Sequence, residues 1–172
     1  RLKARHKHRI KRVAVVLAGR HDLRGRGVAR AAEHRAPHER ESFVSEGVDV
    51  AGAVLDAPDC AHVFSPGSLA EVPITASLAQ LGGRRISGII DRLIVDDRTV
   101  LAVDFKSNLI VPDTPDDVPE GLLRQLGAYG AALQMIYPNL DVQTAILWTG
   151  TASLMAVPHD LVMAALDRAG QP

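Results

Sequence analysis

Three segments in the middle of the chain alternate apolar and polar residues or are rich in β-branched residues, which is typical of strands. They are LAEVPITASL (69–78), RISGIIDRLIV (85–95) and TVLAVDFKS (99–107). The turn-forming stretches LGGRR and DDR separate them. Because both connections are short, the pattern predicts three neighbouring antiparallel strands in a meander.

A helical period follows the third strand. In EGLLRQLGAYGAALQMIYP (120–138) the apolar residues recur every three to four positions, with Pro119 near the start and Pro138 at the end. Proline is tolerated in the first turn of a helix and disfavoured in its interior. The segment is therefore predicted to be one helix over residues 120–137.

The remaining segments complete the predicted element order. DVQTAILWTG (141–150) and SLMAVP (153–158) have strand character, HDLVMAALDRA (159–169) has helical period, and apolar residues over 43–55 suit an amphipathic helix. The order is helix, three strands, helix, two strands, helix. It predicts an α/β (α+β) domain with helices flanking one mixed central β-sheet.

Composition limits the class of protein. The 172 residues are 47% hydrophobic and 23% charged, which suits one globular domain of ordinary size. No apolar run reaches the length of about 18 residues that a membrane helix needs. The basic N-terminus is not followed by the apolar region of a secretory signal. A single cysteine, Cys60, excludes an internal disulfide and fits a reducing compartment.

The net charge of zero hides a division along the chain. Residues 1–40 hold 13 of the 20 Lys and Arg but only three of the 20 Asp and Glu. We therefore separate a basic, atypical segment, residues 1–41, from a folded domain, residues 42–172. A basic arm of this kind either contacts phosphate or is a solvated tail.

The candidate chemistry lies on the predicted meander. A charge on a buried strand is costly without a partner, yet Asp91, Asp104 and Lys106 all lie on apolar strands. Asp104 and Lys106 are two residues apart and so share a face, and a short hairpin can bring Asp91 close to Asp104. Two converging carboxylates suit Mg²⁺ or Mn²⁺. The alternative is that Asp104 and Lys106 form a structural ion pair in an unrelated α/β domain.

The predicted central helix has its own polar stripe. Gln125 and Tyr129 are four residues apart and therefore share one face of the helix. This face either docks over the sheet and directs an amide and a phenol at the carboxylates, or consists of an exposed Gln and a core Tyr.

The set GIIDRLIV, VDFKSN, QLGAY and AILWT, in this order, resembles the RecB-type branch of the PD-(D/E)XK nuclease superfamily. Within that branch it is similar to the AddA-type nuclease domains of bacterial helicase–nucleases, from about residue 65 to the C-terminus. The resemblance implies a restriction-endonuclease-like fold and a metal-dependent, sequence-independent DNA exonuclease of double-strand-break repair. The alternative is a catalytically impaired nuclease fold that binds DNA or protein.

The resemblance also implies roles in the cleavage reaction. Asp91, Asp104 and the backbone carbonyl of Phe105 match the Mg²⁺ or Mn²⁺ ligands, and Lys106 matches the catalytic lysine. Glu71 matches an acidic position ahead of the meander, where it either reaches the site or pairs structurally.

Further positions match residues that support the site and contact DNA. Gln125 and Tyr129 match the Gln-x-x-x-Tyr pair that marks this branch. Four arginines could contact the DNA backbone, as expected for binding without base recognition: Arg84, Arg85, Arg92 and Arg124. Trp148 is expected to pack in the core.

One position departs from the family. The family has a metal-binding histidine soon after an Arg-Gly pair, and alignment on Arg24-Gly25 puts Ala29 there. His34 lies five residues later and is a candidate substitute. Residues 1–41 also match the family poorly, which suggests that they are diverged, mis-framed or derived from neighbouring sequence.

The helicase activity of the family is not encoded in this sequence. No G-x-x-x-x-G-K-[ST] motif, which would bind a nucleotide phosphate, occurs in it. The resemblance therefore implies helicase domains and a second helicase–nuclease subunit as partners, and a location at the bacterial nucleoid in the cytoplasm.

Overall fold

The computed structural model of the chain describes residues 52–108 and 110–170. The basic segment, Ala29, His34 and the boundary between residues 41 and 42 lie outside these ranges, so the predictions for them stay predictions. Residues 52–56 are helical and fall within or next to the helix expected over 43–55, the rest of which is outside the described residues.

The described residues form a five-stranded mixed sheet with flanking helices, which confirms the predicted α/β, restriction-endonuclease-like class. The strands follow one another in the sheet in chain order. No helix in the described ranges is long and apolar enough to cross a membrane. The elements are β1 (Leu69–Leu78), β2 (Arg84–Val95), β3 (Thr99–Lys106), α1 (Glu120–Ile136), β4 (Asp141–Trp148), β5 (Ser153–Val157) and α2 (His159–Gly170), with short 3-10 helices at Pro58–Phe64, Ala79–Leu81 and Pro115–Asp117.

Both antiparallel and parallel pairing occur in the sheet. β1 pairs with β2, and β2 with β3, in antiparallel register, which confirms the meander. β4 runs parallel to β3: the Asp141 amide donates to the Arg98 carbonyl at 2.8 Å, and the Thr149 amide donates to the Lys106 carbonyl at 2.8 Å. The long connection through α1 is what a parallel pair requires.

The chain divides into two compact units. The larger unit comprises Ser65–Asp104, Pro112–Ile146 and the described residues from Met155 onward. Its core packs apolar residues of the meander against the two helices. Members of this core that are 5% exposed or less include Ile74, Leu78, Ile90, Leu133 and Leu166.

The second unit holds the described residues up to Phe64 together with Phe105–Val111 and Leu147–Leu154. The rings of Phe64 and Phe105 lie 6.0 Å apart between centroids. Trp148 is 1% exposed, which agrees with its expected packing role. The Cys60 thiol is buried and donates to the Ala152 carbonyl at 3.6 Å, and burial raises its pKa, so it lacks the features of a reactive thiolate.

One aspartate fixes the turn between β2 and β3. Asp96 Oδ1 accepts from the backbone amides of Arg98 and Thr99 at 2.8 and 2.7 Å, and Oδ2 accepts from Thr99 Oγ1 at 2.8 Å. These hydrogen bonds, the Arg98 amide first, lower the pKa of the Asp96 carboxyl. The ionised Asp96 carboxylate therefore stabilises the turn that joins β2 to β3.

We expect Asp96→Ala to lower the melting temperature at neutral pH and to have less effect in acid. Because the folded-state pKa is lowered, the ionised carboxylate stabilises the fold above its ordinary pKa of about 4. This contribution disappears as the pH falls through the folded-state value. Thermal unfolding across pH 2–7 measures it, with Asp97→Ala in the same turn as the control. A difference that does not depend on pH would contradict this account.

Candidate active site

The register of the meander brings two acids together. β2 and β3 pair Arg92 with Val103, so the next step of the same register sets Asp91 opposite Asp104. Asp104 is buried, with 4% of its surface exposed, and Asp91 is half-buried. Both carboxylates also act electrostatically on the phenol of Tyr129. The continued register and the effect of both charges on Tyr129 place the two acids near each other. That they share a metal ion stays a prediction.

A chain of hydrogen bonds joins α1 to the two central strands. The Gln125 amide nitrogen donates to Asp104 Oδ1 and to the Tyr129 hydroxyl, each at 3.0 Å. The Tyr129 hydroxyl in turn donates to the carbonyl of Ile89 on β2, also at 3.0 Å. Because Gln125 and Tyr129 are one helical turn apart, both reach the sheet from the same side of α1. These contacts agree with the docked interpretation, and Tyr129 is at the same time a core residue, as the alternative expected. That the pair serves a catalytic site stays a prediction.

The environment keeps the Tyr129 phenol neutral. Burial raises its pKa most, the Asp104 and Asp91 charges raise it further, and the hydrogen bond donated by Gln125 partly opposes these effects. A phenol with a raised pKa remains an O–H donor throughout the physiological range. Its hydrogen bond to the Ile89 carbonyl is therefore retained at physiological pH.

Glu71 lies on β1, at a distortion of the strand. Its φ is 52°, a left-handed conformation that costs a non-glycine residue on the order of 1 kcal/mol. In the β1–β2 register, the pairs on either side of Glu71 are Ala70 with Arg92 and Val72 with Ile90. Within residues 52–108 and 110–170, no three His, Cys, Asp or Glu side chains are grouped closely enough to hold a metal. Whether Glu71 reaches the site stays a prediction.

The arginines expected at DNA differ in their exposure. Arg84 and Arg85 are exposed at the start of β2. Arg124 on α1 is 47% exposed in its side chain and donates to Glu120 at 3.3 Å. Arg92 is instead 5% exposed, and its Nη1 donates to Ser68 Oγ at 3.4 Å. The phosphate contact expected for Arg92 stays a prediction.

Phe105 and Lys106 belong to the second unit. Phe105 is 5% exposed. Lys106 is the half-buried last residue of β3, and its carbonyl accepts from the amide and hydroxyl of Thr149 at 2.8 and 3.3 Å. These bonds fix the backbone at the end of β3. The roles expected for the Phe105 carbonyl and the Lys106 ammonium stay predictions.

Tyr129→Phe is expected to reduce any activity of the site by about 10- to 100-fold, the usual effect of removing a group that supports a metal ligand, which is the role that the family resemblance implies for Asp104. The loss leaves the Ile89 carbonyl and one Gln125 hydrogen without their partner, which costs about 1 kcal/mol of unfolding free energy. Tyr137→Phe, at the only other tyrosine, is the control. Turnover and urea denaturation measure the two effects. Equal turnover in both variants would remove the phenol from the site.

Sequence reasoning did not identify Ile89, whose contribution is its backbone carbonyl.

Two comparisons with known proteins agree with this geometry. A sequence model of the PD-(D/E)XK nuclease superfamily matches residues 2–160. A 62-residue stretch is 34% identical to an ATP-dependent helicase/nuclease subunit of Oenococcus oeni, covering 36% of this chain but 5% of that protein. The chain belongs to the PD-(D/E)XK nuclease superfamily.

Proposed function

We propose that this chain is a metal-dependent nuclease domain that hydrolyses DNA phosphodiesters without sequence preference. The observation that supports this most directly is the chain of hydrogen bonds that holds Asp104 on β3 against α1, next to Asp91 on β2. A buried carboxylate held by an amide and opposite a second acid is the arrangement of a metal ligand with a supporting group.

The donor set suits a hard divalent ion. Carboxylate oxygens are the preferred protein ligands of Mg²⁺, which retains several waters and usually takes only one or two carboxylates. Asp91 and Asp104 provide these two carboxylates, and the Phe105 carbonyl would provide a neutral oxygen. When bound, Mg²⁺ or Mn²⁺ would lower the pKa of a coordinated water and offset charge on the phosphate.

The protein's own groups have separate roles in this proposal. Asp91 and Asp104 bind the ion. Gln125 fixes the orientation of Asp104 Oδ1, and Tyr129 fixes Gln125 by a hydrogen bond anchored on the sheet. Lys106, two residues beyond Asp104 in the chain, would orient the attacking water and offset the charge on the phosphate.

The proposed substrate is DNA, held by its phosphates. Arg84 and Arg85, exposed on β2, and Arg124, exposed on α1, offer charges for phosphate contacts that carry no sequence information. The relative is named as a helicase/nuclease subunit, which supports a helicase context. From the resemblance to AddA-type nuclease domains we further propose an exonuclease that acts with a second subunit in double-strand-break repair. Such a role would place it at the nucleoid of a bacterial cytoplasm.

We expect the purified chain to degrade linear DNA only when Mg²⁺ or Mn²⁺ is present. Chelation should abolish cleavage because the two aspartates are negative and, without a cation between them, would repel the phosphate on which negative charge develops. Release of labelled nucleotide from the ends of a linear duplex and a single strand, across a metal titration, measures both the activity and its exonuclease character.

Two outcomes of the titration would contradict the proposal. Cleavage that persists in excess chelator would exclude metal dependence. DNA binding without cleavage at any metal concentration would favour the impaired nuclease fold. A circular single-stranded substrate, which has no ends, separates exonuclease from endonuclease activity.

A further inference from the structure

Gly88 on β2 lies directly beside the ring of Tyr129. A Cβ atom at Gly88 would lie 2.8 Å from Tyr129 Cε1, 2.9 Å from its hydroxyl oxygen and 3.3 Å from Cζ. The first two distances are shorter than real Cβ contacts. No left-handed φ is involved, so the requirement for glycine at this position is for space and not for backbone conformation.

Neither side of this contact can easily move. Tyr129 is 6% exposed, and its hydroxyl is held between the Gln125 amide and the Ile89 carbonyl. Gly88 lies inside β2, where it pairs with Ile74 of β1 in an unbroken stretch of register. A side chain at position 88 would therefore displace the phenol rather than find room beside it.

We propose that Gly88 is a positioning residue for the site, acting through Tyr129 and Gln125 on Asp104. The missing side chain lets the phenol reach the Ile89 carbonyl, the phenol accepts one hydrogen of Gln125, and the other hydrogen of Gln125 orients Asp104 Oδ1. The catalytic part of this inference rests on the proposed nuclease function, whereas the seating of Tyr129 does not.

The test compares Gly88→Ala with Gly67→Ala, a turn glycine at which an added Cβ would meet nothing within 4 Å. We expect Gly88→Ala to lower kcat by roughly 10- to 100-fold, the effect of a small displacement of an orienting group, with little change in KM for DNA. The control should match the wild type. Wild-type kcat in Gly88→Ala would overturn the proposal.

A double variant tests whether Gly88→Ala acts through a clash with the Tyr129 ring. In Tyr129→Leu, which removes the ring, adding Gly88→Ala should have almost no further effect, since groups that act through one another are not additive. A full additional loss would show that Gly88 acts by another route. If Gly88→Ala alone does not fold, restored folding in the double variant would support the clash, and continued unfolding would contradict it.

A spectroscopic readout separates this inference from the proposed function. The chain has two tyrosines, so 3-fluorotyrosine labelling gives two ¹⁹F resonances, which Tyr129→Leu assigns. Gly88→Ala should shift the Tyr129 resonance and leave that of Tyr137 in place, whether or not the protein cleaves DNA. An unshifted Tyr129 resonance would overturn the proposed seating of the phenol. If the resonance shifts but the wild-type protein does not cleave DNA, only the proposed nuclease function is overturned.

Discussion

Asp104→Asn is expected to reduce metal-dependent DNA cleavage on the order of 1,000-fold, since removing one charge of a buried set costs several kcal/mol. Asn keeps the shape of the side chain and an Oδ1 that still accepts from Gln125, so the link between β3 and α1 survives. What disappears is the negative charge that would hold the metal. Single-turnover cleavage at saturating Mg²⁺ and a metal titration measure the loss.

Asp97→Asn is the matched control for this variant. Asp97 is an exposed aspartate in the turn between β2 and β3, and its substitution removes the same formal charge from the same hairpin. It should retain wild-type cleavage. Wild-type activity in Asp104→Asn would exclude Asp104 as a metal ligand, and equal losses in both variants would point to the charge of the hairpin as a whole.

Gly127→Ala is expected to have the largest effect on folding. In the interior of a helix, alanine is favoured over glycine by about 0.5–1 kcal/mol. At position 127, however, the added Cβ would contact the backbone carbonyl of Val162 on α2 and lie 3.0 Å from Leu166 Cβ. Overpacking of this kind costs about 1–3 kcal/mol, and a backbone carbonyl cannot rotate away as a side chain can. Packing therefore outweighs propensity, and urea denaturation should show a net loss of about 1–2 kcal/mol.

Gly121→Ala, on the same helix, is the control, for which we expect no loss of unfolding free energy. A Cβ at this position meets nothing within 4 Å, so only the gain in helix propensity remains. We expect equal or slightly higher stability. Stabilisation by both substitutions would mean that α1 and α2 are not packed as closely as the structure places them.

The sequence predicted the meander well because short turns separate segments with strong strand character. The predicted strand over 69–78 coincides with β1, and the helix predicted over 120–137 differs from α1 by one residue. The antiparallel register of β2 and β3 could also be anticipated, because a tight hairpin fixes the register of its strands. In each case local pattern and tertiary structure agree.

The features that the sequence did not reveal depend on backbone groups and on side-chain orientations, which the type of residue does not determine. A backbone carbonyl such as that of Ile89 is present in every residue. The hydrogen bond from Arg92 to Ser68, in the turn that precedes β1, also has no signal in the sequence of β2. The left-handed conformation of Glu71 likewise has no signal in a residue type that rarely adopts it.

Diffraction from a crystal soaked in Mn²⁺, collected at the manganese absorption edge, tests most directly whether Asp91 and Asp104 hold a divalent ion. We predict one strong anomalous peak between the two carboxylates, with oxygen ligands at about 2.0–2.3 Å. The peak should be lost in Asp104→Asn and retained in Asp97→Asn. No peak between these aspartates in a protein that cleaves DNA with Mn²⁺ would contradict the account.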